Sequence, residues 1–324
     1  MTPAAISLKA LTIDAAEAVA QIERRLREIT RQHRRRGIVV GLSGGIDSSV
    51  VAFLCARALG PKRVIGLCMP ESDSSPDSLR LGQEVATATG IRVFVEDIAG
   101  VLTAAGCYQR RDDAVRSVIP EYSDGWKCKI VLPDLVNGSR YAVYAVVVRS
   151  PSGEERKARL PLDAYLEVVA ATNFKQRTRK MMEYYYADRY NFAVAGTPNR
   201  LEYDQGFFVK NGDGAADVKP IAHLYKSQVY QLAAWLGVPA EIQHRQPTTD
   251  TYPLEQSQEE FYFALSLQQT DLCLFAQERQ LPPEDVAEAA GLTCEQVARV
   301  YQLLDAKRAA ARYLHAPPML VTDL

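Results

Sequence analysis

The sequence predicts an α/β protein: a parallel sheet flanked by helices, interrupted by a β-rich insertion and closed by a helical C-terminus. Three observations carry this reading. Short apolar runs alternate with helical segments between residues 37 and 95. That alternation breaks at about 106 and resumes at 172. Residues 255–314 then hold helical patterning and no further strand signal. The composition permits such a fold: 324 residues, 47% apolar and 24% charged, are ordinary for a globular chain.

Residues 13–33 form an amphipathic helix, with Ile13, Ala16, Val19, Ile22 and Leu26 on one side. Gly37-Ile-Val-Val-Gly-Leu42 is short, apolar and bounded by glycine, which marks a buried strand. A helix follows over 47–59, a strand over 63–69, a helix over 77–89 and a strand over 91–95. Strands separated by helices in this way pair in parallel through right-handed crossovers. Residues 106–171 read as an insertion. Residues 128–136 and 140–149 are extended on either side of an Asn137-Gly138 turn, and 156–162 offers a third antiparallel strand. The core resumes with a helix over 172–190 and a strand over 192–196, then a loop over 197–222. A helix over 225–236 is stopped by Gly237-Val-Pro239. The chain thus divides into an N-terminal helix (1–36), an α/β domain (37–252) and a helical C-terminal region (253–324).

Charge and composition narrow the function. With 38 basic and 39 acidic residues the net charge is −1, which is not the footprint of a general nucleic-acid binder. The seven arginines of 23–36 are expected to be a solvated helix face. No window holds the ~18 apolar residues of a membrane span, and the start lacks the basic and apolar regions of a signal peptide. The six cysteines are scattered without a CxxC, which fits reduced thiols and a cytoplasmic location. Residues 285–304 imitate a helix-turn-helix, but the second helix carries little beyond Gln296 and Arg299, so helical packing is expected.

The informative stretch is Ser43-Gly44-Gly45-Ile-Asp47-Ser48-Ser49, between a buried strand and a helix. Open α/β sheets bind ligands at such a strand end. Two glycines let the backbone approach an anion, the serines add hydroxyl donors, and the helix start supplies free N–H groups. Asp47 would repel a phosphate unless a cation lay between them, which points to Mg²⁺. Neither GxxxxGK[ST] nor GxGxxG is present.

SGGxDS after a strand resembles the pyrophosphate loop of the ATP pyrophosphatases, which cleave ATP between the α- and β-phosphates and adenylate a substrate. The second half adds Gly196-Thr197, Asn199, Glu202, Gly206-Phe207-Phe208, Lys210, Gly212-Asp213-Gly214, Asp217, Pro220 and Lys226. Together these resemble the ammonia-dependent NAD synthetases. The resemblance implies an adenine-nucleotide α-hydrolase-like (Rossmann-like) fold. It implies amidation of deamido-NAD through an acyl-adenylate, or of another small carboxylate by the same chemistry. ATP is then a co-substrate, and ammonia arrives free or from a separate glutaminase.

On that resemblance Asp47 and Glu202 carry Mg²⁺, and Lys226 contacts the ATP phosphates. Ser43, Gly44, Gly45, Ser48, Ser49, Thr197 and Thr248 border ATP. Arg177, Lys210 and Asp217 bind the acceptor, and a homodimer is implied because the acceptor site of that family lies across the dimer interface. The insertion is absent from the compact family enzyme. It returns the chain directly into the helix bearing Arg177, so it is expected to form a flap or dimer element beside the acceptor site.

Overall fold

The computed structural model describes residues 6–131, 144–246, 252–255 and 265–322. The first core elements are α1 (Ala15–Gln32), β1 (Ile38–Gly41), α2 (Ile46–Leu59), β2 (Val64–Cys68), α3 (Pro76–Thr89) and β3 (Arg92–Val95). The strand β7 (Ala193–Ala195) completes a parallel sheet of order β3-β2-β1-β7. Successive side chains of β1 serve opposite faces. Ile38 and Val40 pack with α1, α2 and α8 (Lys226–Leu236). Val39 packs on the other face with Ile65, Leu67 and Val194. This two-sided burial is why the strand reads as a continuous apolar run rather than an alternating one.

The topology fixes where a ligand can sit. From β1 the chain proceeds to β2 on one side, while β7 joins β1 on the other. The loops leaving β1 and β7 therefore diverge at their carboxyl ends and open a crevice, the switch point of an open α/β sheet.

The insertion is mixed rather than purely β. After α4 (Ala99–Ala104), which precedes it, the insertion opens with a helix, α5 (Cys107–Arg116), followed by an antiparallel sheet of β4 (Lys127–Val131), β5 (Ala145–Arg149) and β6 (Glu155–Arg159). The Asn137-Gly138 turn lies outside the described residues. The helix expected from 172 begins ten residues earlier: α6 runs unbroken over Leu162–Tyr190. Between Pro161 at its start and Asn191 in the left-handed region at its end there is no glycine or proline to stop it. Cys128, Ile130, Val146 and Val148 turn one sheet face onto Val168 of α6 and onto Tyr122.

The stretch expected as a loop over 197–222 contains a short helix, α7 (Arg200–Gln205). It ends at Gly206, with φ +67°. A Cβ there would also stand 2.6 Å from the Cβ of Ala311, so glycine serves both the turn and the close packing of the C-terminal helix.

Beyond α8 lie α9 (Ala240–His244), α10 (Leu267–Glu278), α11 (Ala287–Ala290) and α12 (Cys294–His315). Val286 and Val297, in the stretch that imitates a helix-turn-helix, are buried in a C-terminal cluster with Leu272 and Leu304. The seven arginines of 24–36 are all exposed. Among the described residues no helix is long and apolar enough to cross a membrane.

Candidate active site

A cleft of about 410 Å³ opens at the carboxyl ends of β1, β2 and β7. Its floor is the turn after β1. Gly44 takes φ +73°, and a Cβ on it would lie 2.8 Å from the carbonyl oxygen of Ser78. Only glycine fits that approach. Gly45 caps α2, and the Ser48 and Ser49 hydroxyls donate to its carbonyl at 3.0 and 2.8 Å. The loop is thus held from inside, and its Ser43 and Gly45 N–H groups donate to the Ser48 and Ser43 hydroxyls, each at 3.3 Å; the first turn of α2 that follows leaves N–H groups without intrahelical partners at the cleft. Ser43, Gly45, Asp47 and Ser48 line the cleft, whereas Ser49 is fully buried behind it.

Thr197 and Glu202 enter from β7 and α7. Asn199 joins the two halves. Its Nδ2 donates to Asp47 Oδ1 at 3.2 Å, and its backbone N–H donates to Glu202 Oε2 at 3.1 Å. Its Oδ1 in turn accepts the Glu202 N–H at 3.1 Å. Asn199 is 1% exposed, so this bridge is sheltered from water. The sequence signal was available in the Asn-x-x-Glu spacing of a capping box, here turned to hold two acidic side chains.

Lys226 completes the group. It begins α8, is 1% exposed, and its ammonium pairs with the Asp47 carboxylate. Burial pulls its pKa down, but Asp47 and Glu202 outweigh that and hold it above the ordinary lysine range. The lysine is placed by Asp271 of α10, whose carboxylate accepts the N–H groups of Lys226 at 3.2 Å and Ser227 at 2.7 Å. A carboxylate from a distant helix thereby caps α8.

Two facing carboxylates beside an anion-binding loop suit a hard divalent cation. Mg²⁺ is typically held by one or two carboxylates, with phosphate and water oxygens completing its shell. Among the described residues no group of three or more His, Cys, Asp or Glu side chains forms a closed metal cage.

The acceptor residues expected from the resemblance lie elsewhere. Arg177 is exposed and donates to the Lys210 carbonyl at 3.4 Å. Lys210 donates to the Tyr313 carbonyl at 2.8 Å and sits over its ring. Asp217 accepts the Val194 N–H at 2.7 Å. None of the three lines the cleft, and Thr248 falls outside the described residues. The α6 side chains that do line it are Tyr165, Val169, Thr172, Asn173, Gln176, Arg179 and Glu183. Their spacing follows one helical face, and Arg177 is one position out of phase with it. Tyr165 stacks on Tyr144 at 3.9 Å between ring centroids. The inserted region therefore touches the cleft wall through Tyr144, just before β5.

Fold and cleft define a nucleotide-dependent α/β enzyme of the ATP pyrophosphatase type. Comparison with known proteins narrows this. A family model described as NAD synthase matches residues 18–117 and 152–311. An NH(3)-dependent NAD(+) synthetase of Rhizobium rhizogenes is 57% identical over 318 residues, covering 98% of this chain and 96% of that protein. Among solved structures, an NMN synthetase from Francisella tularensis superposes with TM-score 0.66 at 21% identity, covering 95% of this chain and 99% of its own. An NH3-dependent NAD synthetase from Campylobacter jejuni gives 0.62 at 22% identity, covering 96% and 100%. The two structures speak for the fold. The chain belongs to the NAD synthase family. The family model leaves 118–151 unmatched, the stretch that contains β4 and β5.

Asn199→Ala is expected to destabilise the fold by about 1 kcal/mol through the lost cap. It should also lower turnover by roughly 10- to 100-fold through misplaced Asp47 and Glu202. Urea unfolding and steady-state rates measure the two effects separately.

Proposed function

We propose that the chain is an ammonia-dependent NAD synthetase, converting deamido-NAD to NAD with ATP. The observation that carries this is the meeting of Asp47, Glu202 and Lys226 over the Ser43–Ser49 loop, in a chain 57% identical to an enzyme so named. In the first step a carboxylate oxygen of deamido-NAD attacks the α-phosphorus, and the bond to the pyrophosphate oxygen breaks. In the second, ammonia attacks the acyl carbon, AMP departs, and a proton is released as the amide forms.

No covalent enzyme nucleophile is required. The protein holds an anionic acceptor against a polyphosphate, so its contribution is orientation and charge. The N–H groups at the start of α2 receive phosphate oxygens, and Lys226 offsets negative charge that builds as pyrophosphate leaves. Mg²⁺ held by Asp47 and Glu202 would supply Lewis-acid polarisation of the phosphates and screen them from the attacking carboxylate.

We assign acceptor binding to Arg177, Lys210 and Asp217, at the edge of a homodimer interface. Arg177 shares a face of α6 with the exposed Met181 and Tyr185, continued toward its start by exposed Leu166 and Leu162. An apolar stripe of this kind on a long helix supports association. Ammonia is taken up free or received from a separate glutaminase. All six cysteines are unpaired, which supports a reducing, cytoplasmic setting.

The products should be AMP and pyrophosphate, formed only when deamido-NAD and ammonia are both supplied for full turnover. Release measured by nucleotide chromatography and a pyrophosphate assay tests this. ADP and phosphate as products would place the chemistry at the wrong phosphorus.

A further inference from the structure

Behind the cleft lies a buried ionic network that the proposed chemistry does not use. Lys175 of α6 is fully buried, and its Nζ donates to Glu71 Oε1 at 3.0 Å and Asp73 Oδ2 at 2.5 Å. Arg111 of α5 also meets Asp73, and its Nε donates to Asp112 at 2.8 Å. Tyr108 donates its hydroxyl to Glu71 Oε2 at 2.8 Å. The turn is closed further by the Asp73 N–H to Glu71 Oε2 at 3.0 Å and the Glu71 N–H to Ser74 Oγ at 3.1 Å.

Ion pairs this deeply buried add little net stability over apolar packing, because both charges lose their hydration. What the pairs do fix is geometry. Glu71 and Asp73 lie between Pro70 and Ser74, which line the cleft. Lys175 lies between Asn173 and Gln176, which line it from α6. The network therefore ties the wall that follows β2 to the wall made by α6. Cys68, Met69 and Pro70, at the neighbouring strand end, line the same cleft as the loop after β1, so a nucleotide whose phosphates lie on that loop would have them within reach of its base. We propose that Lys175 and Arg111 are positioning residues that hold the 70–74 turn, and with it the base side of the ATP site. This rests on the reading of the cleft as an ATP site.

The inserted sheet enters the same device. Asp112 accepts the Tyr122 hydroxyl at 3.3 Å, and Tyr122 packs in one apolar cluster with Cys128 and Val148. The sheet covers the Arg111 end of the network, and a lower local dielectric strengthens the ion pairs it shelters.

The test is calorimetric titration of the full-length protein with MgATP in the absence of acceptor, alongside thermal unfolding. Lys175→Met should weaken ATP binding by about tenfold or more, the size of effect a small misplacement of a binding wall produces. Lys175→Met/Glu71→Gln removes the buried carboxylate left without a cation while Asp73 keeps Arg111, so it should regain stability relative to the single variant while ATP binding stays weak. It also serves if the single variant does not fold. Val297→Ala, buried in the C-terminal cluster near the start of α12, lowers stability and should leave ATP binding unchanged. A folded Lys175 variant with wild-type ATP affinity overturns the inference. So does an equal loss in Val297→Ala, since affinity would then follow stability alone. Absence of ATP binding by the wild type would instead overturn the nucleotide reading, and the inference with it.

Discussion

Asp47→Asn and Glu202→Gln are each expected to lower turnover by about a thousandfold while the protein stays folded. A metal clamp on a reacting phosphate supplies several kcal/mol of transition-state stabilisation, and ~1.4 kcal/mol corresponds to one decade in rate. Each change removes a charged oxygen but keeps the side-chain shape. Asn at 47 still presents Oδ1 to Asn199, and Gln at 202 still presents an oxygen to the Asn199 N–H. The loss should therefore appear in turnover and in Mg²⁺ dependence; Asp47→Asn should also lower the melting temperature, because it takes the charge partner from buried Lys226, whereas Glu202→Gln should leave the melting curve near wild type. Measurement at saturating Mg²⁺ decides the matter: near-normal rates in either variant would remove that side chain from the metal site.

Lys226→Met should show a loss of similar order, by a different route. The ammonium is the cation that pairs with Asp47 in this structure and draws further stabilisation from Glu202. Replaced by a thioether, it leaves two facing carboxylates with their mutual repulsion and no protonated lysine opposite the phosphates. Two readouts follow. Turnover should fall by about 10²- to 10³-fold, in line with removal of one charge-stabilising donor. Added Mg²⁺ should raise the melting temperature of the variant more than that of the wild type, because the cation then supplies the missing positive charge. The pH behaviour has a definite sign. A lysine whose folded pKa is raised gives stability that is fully present below its ordinary value and is lost only as pH rises through the folded one. The wild-type contribution of Lys226 is therefore constant through neutral pH and falls away in strong alkali. A melting profile in which the Lys226-dependent difference vanished on acidification through neutrality would contradict that assignment.

The parts of the site legible in the sequence were those specified locally. Ser43–Ser49 declared itself because paired glycines, a buried strand and a helix start are neighbours in the chain. Asn199 carried a local signal too, in its spacing to Glu202. Asp271 carried none: it caps a helix 44 positions away, which only tertiary packing reveals. The start of α6 is not legible in the sequence, because residues 156–162 read as a strand and the stretch after them as part of the insertion, although nothing between 162 and 172 breaks a helix. Arg177 shows the complementary difficulty. Resemblance selects the residue type, but helical phase decides which cleft or interface it faces, and phase follows from the full length of α6.

The pairing of β7 with β1 also bears on how the chain reaches its native state. Asp47 and Asn199 are 152 positions apart, and their contact exists only once β7 has docked. As synthesis proceeds, β1, β2 and β3 can assemble long before β7 emerges, leaving the hydrogen-bonding edge of β1 open beside apolar residues. Such an edge is a template for pairing with other chains. Non-local closure of this kind is also slow. The candidate site is thus expected to be among the last features to form, and a chain that lacks β7 is expected to lack it and to aggregate. Expression yield should therefore respond more to substitutions that delay β7 docking, such as Val194→Ala, than to equally destabilising changes in the early β1–β3 unit.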